Sequence, residues 1–465
     1  MIDRREILNA AEVSNVGPQI AEKDYVLGWV LWGIFGNEEL AGNWVFKGGT
    51  CLKKCFFETY RFSEDLDFTV KDPSQLNARF LESVFAEVSE KVHEETGIAL
   101  PVEFRRFKIY ENQRGEKACQ GRVGYRGPVS PRGNNAPRIK LDLISDERIA
   151  LPPVQTRIFH PFSDDPENGI VVQCYAYEEV FAEKVRALGE RTRPRDLYDV
   201  INLYRNEGIR PAARVLLDVL RSKCEFKGID VPTLEMLEPF RPELEGSWES
   251  MLGHQLPALL PVQHFWDQLE EFFLWLFGEL IPERPAPYTG EEGEELIRDR
   301  YIFNAVPRRA RAHLEVIRFA AANRICAELD YLGRTRTIEP YSLRLSRAGN
   351  VVLHAHNVDK NAHRSYRVDQ IERARLTSTA FVPRHEIELT PTGPYKIKPT
   401  AMRRSLLGWP RTNYETHGPV FILECPMCDR HFKRQRRRTT KLNRHNDEWG
   451  DPCPGRYGHW VDTEY

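Results

Sequence analysis

Apolar positions recur at helical spacing from about Glu22 to Phe35, and a compact apolar run, Trp44-Val45-Phe46, follows. That run predicts a short buried strand entering Lys47-Gly48-Gly49-Thr50. Asp65-Leu66-Asp67-Phe68-Thr69-Val70 alternates polar and apolar at period two, the mark of a strand with one face buried. Arg138-Ile139-Lys140-Leu141-Asp142-Leu143-Ile144 repeats the alternation as a third strand. From Glu178 to about Tyr204 the pattern is helical, and Pro194 divides it into two helices. Further helices are expected to Leu280, with Trp266, Phe272, Phe273, Leu274 and Phe277 as an aromatic core stripe. Strands and helices mixed in this way predict an α+β fold.

A Pro-rich stretch from Ile281 to Pro287 and the acidic run Glu291 to Glu295 mark a boundary. Beyond it, a helix over Leu314 to Asn323 precedes strand-like segments at Ile325 to Tyr331, Ile338 to Leu345, Val351 to His356 and Ser365 to Leu376. With turns at Gly333 and Gly349, these predict a small β-barrel. The expected division is a first domain over 1–280, a linker over 281–312, a barrel over 313–388 and a C-terminal segment over 389–465.

Composition narrows the options. At 465 residues, two or three domains are expected. Sixty-six basic against 68 acidic residues give a net charge of -2, so nucleic-acid contact has to come from local patches. No apolar run reaches the roughly 18–20 residues of a bilayer span, and the N-terminus lacks a secretory layout, so a soluble cytoplasmic protein is expected. Of nine cysteines, six are scattered and three gather near the C-terminus, unlike a secreted disulfide scaffold.

The chemistry concentrates in the first domain. Glycines at 48 and 49, between a strand and a helix, let the backbone approach a phosphate, and Thr50 adds a hydroxyl. Asp65 and Asp67, two apart on a strand, project from one face. Carboxylates that close repel unless a cation lies between them, and Mg²⁺ favours such oxygen ligands together with phosphates. Asp142 is placed to supply a third carboxylate. Each fragment alone is commonplace, a turn or a solvated strand edge, whereas their joint order is specific.

These residues resemble a known family. Glu22-Lys23-Asp24-Tyr25, Phe46-Lys47-Gly48-Gly49-Thr50 and Arg61-Phe62-Ser63-Glu64-Asp65-Leu66-Asp67-Phe68 look like the AbiEii/MenT group of nucleotidyltransferase-like toxins. Lys140-Leu141-Asp142, Glu183-Lys184-Val185-Arg186-Ala187-Leu188 and Arg195-Asp196-Leu197-Tyr198-Asp199 resemble its later motifs, in order, over roughly residues 15–280. The resemblance implies the nucleotidyltransferase fold of the DNA polymerase β superfamily and a type IV toxin, some members of which add nucleotides to tRNA ends. It implies catalytic Asp65, Asp67, Asp142 and Lys184, with a fourth-motif acid that is Asp196 in preference to Asp199. It also implies nucleotide contacts from Gly48, Gly49, Thr50, Ser63, Lys140, Arg195 and Asp199. Lys184 and Arg195 suit the phosphates of an NTP. A competing reading makes Arg195, Asp196 and Asp199 a structural ion-pair network.

Arg336-Thr337-Ile338-Glu339-Pro340 and Arg364-Ser365-Tyr366-Arg367-Val368-Asp369-Gln370-Ile371 resemble a WYL domain, an SH3-like barrel often used for sensing, although Val351-Val352-Leu353 stands where Trp-Tyr-Leu would. Arg364 and Arg367 are candidates for an anionic ligand. In the tail, Cys425, Cys428 and Cys453 with His445 form a candidate zinc set, His459 and His431 being alternatives, as in a zinc ribbon. The basic stretch between them, including Arg436 and Arg437, suits nucleic-acid phosphates. The expected function is Mg²⁺-dependent transfer of a nucleotide from an NTP to tRNA, or else to a protein. The protein would be a toxin or phage-defence effector with a cognate antitoxin, and Zn²⁺ would have a structural role. Alternatives are a non-catalytic nucleic-acid-binding regulator and a kinase-like use of the fold.

Overall fold

The computed structural model describes residues 2–297 and 308–389 except 15, 58–59, 113, 131–135, 283–284, 289 and 291–292, together with 420–425, 431–434, 441–442 and 459–464. The N-terminal part is built on seven strands: β1 (Trp44–Lys47), β2 (Asp65–Val70), β3 (Arg105–Glu111), β4 (Lys117–Gly124), β5 (Arg138–Ile144), β6 (Val154–Arg157) and β7 (Val171–Cys174). They form one mixed sheet in the order β3-β4-β5-β2-β1-β7-β6. The centre is β1 antiparallel to β2 and β2 parallel to β5, in a register that sets Lys47 and Asp142 on either side of Asp67.

Alternation along β2 and β5 separates two faces. Leu66, Phe68, Ile139, Leu141 and Leu143 are fully buried. Their face of the sheet is covered by the Pro18–Phe35 and Ala78–Thr96 helices, with Phe68 against Phe35, Phe46 and Trp44, and Phe85 against Trp44 and Phe107. Asp65, Asp67 and Asp142 lie on the other face, partly exposed.

The helical pattern over Glu178 to Tyr204 becomes helices Tyr177–Arg191 and Pro194–Arg205, with Thr192 left-handed at the break (φ 42°) and Pro194 opening the second. The aromatic stripe needs one correction. Trp266, Phe272 and Phe273 are buried, but Leu274 and Phe277 are 37% and 38% exposed, because the Leu269–Leu276 helix turns that side to solvent.

The C-terminal part pairs strands β8 (Glu295–Leu296), β9 (Ile325–Tyr331), β10 (Arg334–Leu345), β11 (Val351–Asn357), β12 (Ala362–Arg367) and β13 (Ile371–Ala380). The expected single segment from Ser365 to Leu376 is two strands, separated by a 3-10 turn at Val368–Gln370. That turn carries the chain to the opposite edge, giving the order β12-β11-β10-β9-β13. Among the described residues β12 and β13 do not pair, so the sheet is open and the expected barrel does not close. The Arg308–Ala322 helix packs on β13, β9 and β10 and also against the Arg4–Ser14 helix.

A third sheet joins β14 (Val420–Glu424), β15 (His431–Arg434) and β16 (His459–Glu464), with Glu424 opposite both His431 and His459. Cys425 follows β14 and is buried. Cys428, His445, Cys453, Arg436 and Arg437 lie outside the described residues, so a zinc ribbon is not visible in this sheet. No described helix is long and apolar enough to cross a membrane.

Candidate active site

Gly48 takes φ +80°, a conformation that disfavours L side chains, and a Cβ there would overlap Asp67 Oδ2. The glycine therefore lets the β1 turn lie directly against the carboxylate. A Cβ on Gly49 would come 2.7 Å from Arg61 Nη2 and 3.2 Å from Ser63 Oγ, so this glycine admits the segment leading into β2. Ser63 is thereby brought beside the turn and Lys140, opposite Asp65 in the β2–β5 register, stays exposed. Thr50 differs from expectation. It is fully buried, and its hydroxyl donates to the Asp65 carbonyl at 2.5 Å, which ties helix to strand and removes that hydroxyl from any phosphate cradle.

The three carboxylates interact strongly. Burial, then the charge of Asp142, pushes Asp67 up to about 6. Burial and Asp65 also raise Asp142. Lys47 and Lys184 partly offset this at Asp67. A carboxylate cluster in which Asp67 and Asp142 are costly to ionise, under a turn with no room for a side chain, fits a hard divalent cation. The donor set is entirely oxygen, as Mg²⁺ requires.

Behind the carboxylates is a buried charge network. Lys47 Nζ donates to Glu183 at 2.8 Å and lies 3.9 Å from Glu147. Asp199, fully buried, accepts from Arg61 Nε and Nη2 at 2.7 and 2.6 Å, from the Tyr60 hydroxyl at 2.7 Å and from Lys184 at 2.8 Å. Burial opposes its charge, yet Arg61 and Lys184 hold it well below the usual carboxylate range. Asp196, also fully buried, is gripped by Arg191 at 2.7 and 2.9 Å and lies 3.8 Å from Lys184. Both acids are thus committed to cations, while Lys184 and Arg191 also interact with the charge of Asp67. Arg195 makes no ion pair among the described residues. Its Nε reaches the Met251 carbonyl at 3.4 Å, and burial and Arg61 lower its pKa while Asp65 and Glu64 favour its charge.

Several contributors are not evident from sequence. Arg61 and Tyr60 sit 138 and 139 positions from Asp199, and no spacing rule links them. The Glu22-Lys23-Asp24 motif fastens loops. Glu22 accepts from the Val129 and Ser130 amides at 2.6 and 2.8 Å, Lys23 pairs with Glu64 at 2.5 Å and Asp24 with buried Lys54 at 2.7 Å.

Three of the six scattered cysteines converge. Cys51, Cys55 and Cys174 are buried, with sulfur atoms within 4.8 Å of one another. Burial pushes the Cys51 and Cys55 thiols well up, so they are neutral without a soft cation, which is the kind of ion three sulfurs would suit. In the C-terminal sheet Arg364 is exposed, while Arg367 is held by Asp369 at 2.7 and 3.1 Å, so the two are not equally available to an anion.

Comparison with known proteins bears on this geometry. The MenT4 nucleotidyltransferase toxin of Mycobacterium tuberculosis aligns at 18% identity and TM-score 0.38, over 60% of this chain and 90% of that one. Proteasome accessory factor B/C of Arthrobacter aurescens aligns at 13% identity and TM-score 0.15, over 98% and 80%. No curated protein sequence matches. The WYL domain family matches residues 312–376. The family described as nucleotidyl transferase AbiEii toxin, Type IV TA system, matches residues 29–272, more than half of the chain. The chain belongs to the AbiEii nucleotidyl transferase toxin family and carries a WYL domain.

Proposed function

We propose that this protein transfers a nucleotidyl group from an NTP to an acceptor hydroxyl, tRNA first and a protein side chain second, as the toxin of a pair with a cognate antitoxin. The observation that carries the reading is the β2–β5 register, which faces Asp67 with Asp142 beneath the Gly48 turn. Asp65, Asp67 and Asp142 would hold Mg²⁺, which when bound neutralises charge on the transferring phosphate. Asp142, whose proton affinity is raised, is suited to take the proton of the attacking hydroxyl. Gly48 and Gly49 bring backbone close to the triphosphate, with Ser63 beside them and Lys140 at the strand edge. Arg195 and Lys184 supply positive charge, and Asp196 and Asp199 act through them as positioning residues. We assign transfer to residues 1–280, a linker to 281–312, sensing through Arg364 and Arg367 to 313–388, and RNA delivery by a zinc-stabilised segment with Arg436 and Arg437 to 389–465.

The test is incubation of the full chain with each α-labelled NTP, Mg²⁺ and total tRNA, beside Asp67→Asn. Label on tRNA that disappears with the variant supports the reading. No transfer from any nucleotide to tRNA or to a protein pool favours a non-catalytic nucleic-acid-binding protein, and label moving only from the γ-position indicates a kinase.

A further inference from the structure

Alternation along β3, β4 and β5 sorts their side chains into two sets. Phe107, Ile139, Leu141 and Leu143 belong to the face that the helices cover, with Phe107 against Phe85. The other set continues the face that carries Asp65, Asp67 and Asp142. On it Arg106, Lys108, Arg122, Arg138 and Lys140 are all exposed. The register aligns them. Arg106 lies opposite Arg122, Arg122 opposite Lys140 and Lys140 opposite Asp65, so a row of cations crosses three strands and ends at the carboxylates. With strands about 4.8 Å apart, the row extends roughly 14 Å from the Asp65 strand.

Like charges directly opposite one another weaken strand pairing. Here nothing offsets them. None of these cations forms an ion pair among the described residues, and Arg106 donates from Nη1 only to the neighbouring Arg105 carbonyl, at 2.6 Å. Asp142 is the one acid that these three strands place on this face. Charged side chains on an edge strand discourage pairing between sheets, which accounts for Arg106 and Lys108 on β3. It does not account for Arg122 on β4 or Lys140 on β5, which have strands on both sides.

We infer that the exposed face of β3, β4 and β5 docks a polynucleotide, its backbone phosphates along Arg106, Arg122 and Lys140. Phosphates neutralise these side chains, and the gain offsets the repulsion that the row builds into the free sheet. Tyr110 is 36% exposed and lies two positions from Lys108 on the same face. Its ring is a platform for an unpaired base, which favours a polynucleotide over an acidic peptide. Because the row ends opposite Asp65, a strand lying along it brings one end to the carboxylates. Naming that end the acceptor rests on the transfer reaction proposed above, whereas the docking itself does not.

The experiment titrates fluorescently labelled total tRNA with the full chain, in EDTA, by anisotropy at several salt concentrations. Wild type should bind, and Arg106→Gln/Arg122→Gln should bind about tenfold more weakly, with a plot of log K against log salt shallower by about 1.5. Both side chains are exposed and opposed by like charge, so this variant is expected to melt no lower than wild type. Arg214→Gln/Arg221→Gln removes the same charge from the Ala213–Lys227 helix and should bind as wild type does. Label transfer that persists while the Arg106 and Arg122 variant binds normally keeps the reaction and overturns the docking. Binding weakened by that variant in a chain that transfers nothing keeps the docking and overturns the reaction. No binding by wild type, equal weakening in the Arg214 and Arg221 control, or poly-glutamate competing as well as unlabelled tRNA at equal charge also overturns the docking.

Discussion

Asp67 lies at the centre of the electrostatic conflict around the three carboxylates. Its folded pKa of about 6 exceeds the ordinary carboxylate value near 3.9, so the folded state binds the proton more tightly than the unfolded chain. Stability therefore falls as pH rises from about 4 to about 6, and stays lower above that window. Because Asp67 is partly exposed, the cost is on the order of 1–2 kcal/mol after solvent screening. In EDTA at pH 7, Asp67→Asn is expected to be more stable than wild type by roughly that amount, with the advantage vanishing below pH 4. Denaturant titrations at several pH values check this, and a less stable variant at neutral pH contradicts it. Gly48→Ala acts in the opposite sense. It forces a side chain into a left-handed conformation against Asp67 Oδ2, so a loss of at least ~1 kcal/mol is expected by chemical denaturation, together with loss of transfer.

At the scale of elements, the helices Tyr177–Arg191 and Pro194–Arg205 are fastened to the segment before β2 through Asp199. Asp199→Leu leaves buried Arg61 without its carboxylate, and Arg61→Met leaves Asp199 with Lys184 as its remaining cation, so the first is expected to cost about 3–5 kcal/mol and the second less, and the double variant much less than the sum. Chemical denaturation of the four proteins measures that coupling, and strict additivity would refute it. Asp199's lowered pKa contributes stability that is present above its unfolded value and is lost as pH falls toward the folded one, which places this contribution in the acid range. Elements with a local signature were readable in sequence. The period-two alternation of β2 and β5 exposes Asp65, Asp67 and Asp142 on one side, and Pro194 marks the helix break. Contacts that depend on long-range closure were not: the Arg61–Asp199 clamp, the Cys51, Cys55 and Cys174 cluster, and Lys47 opposite Asp67. The open C-terminal sheet belongs to the same class, because strand composition does not determine whether β12 and β13 meet.

In the whole molecule, the two main parts are joined by polar contacts as well as packing. Arg324 pairs with Glu207, the His264 ring contacts the Asn323 carbonyl, and the Arg308–Ala322 helix lies on the Arg4–Ser14 helix. A junction of this kind couples their unfolding, so the two parts are expected to melt in one calorimetric transition that splits when Arg324 and Glu207 are both replaced by alanine. Two transitions in the wild type would show that the junction does not couple them. The central claim concerns the carboxylates beneath Gly48, and cation binding reads it most directly. Titration of the full chain with Mn²⁺, followed by electron paramagnetic resonance, should show saturable binding in wild type that is weakened at least about tenfold in Asp67→Asn and in Asp142→Asn. Equal binding by all three proteins would mean that these side chains do not form a cation site.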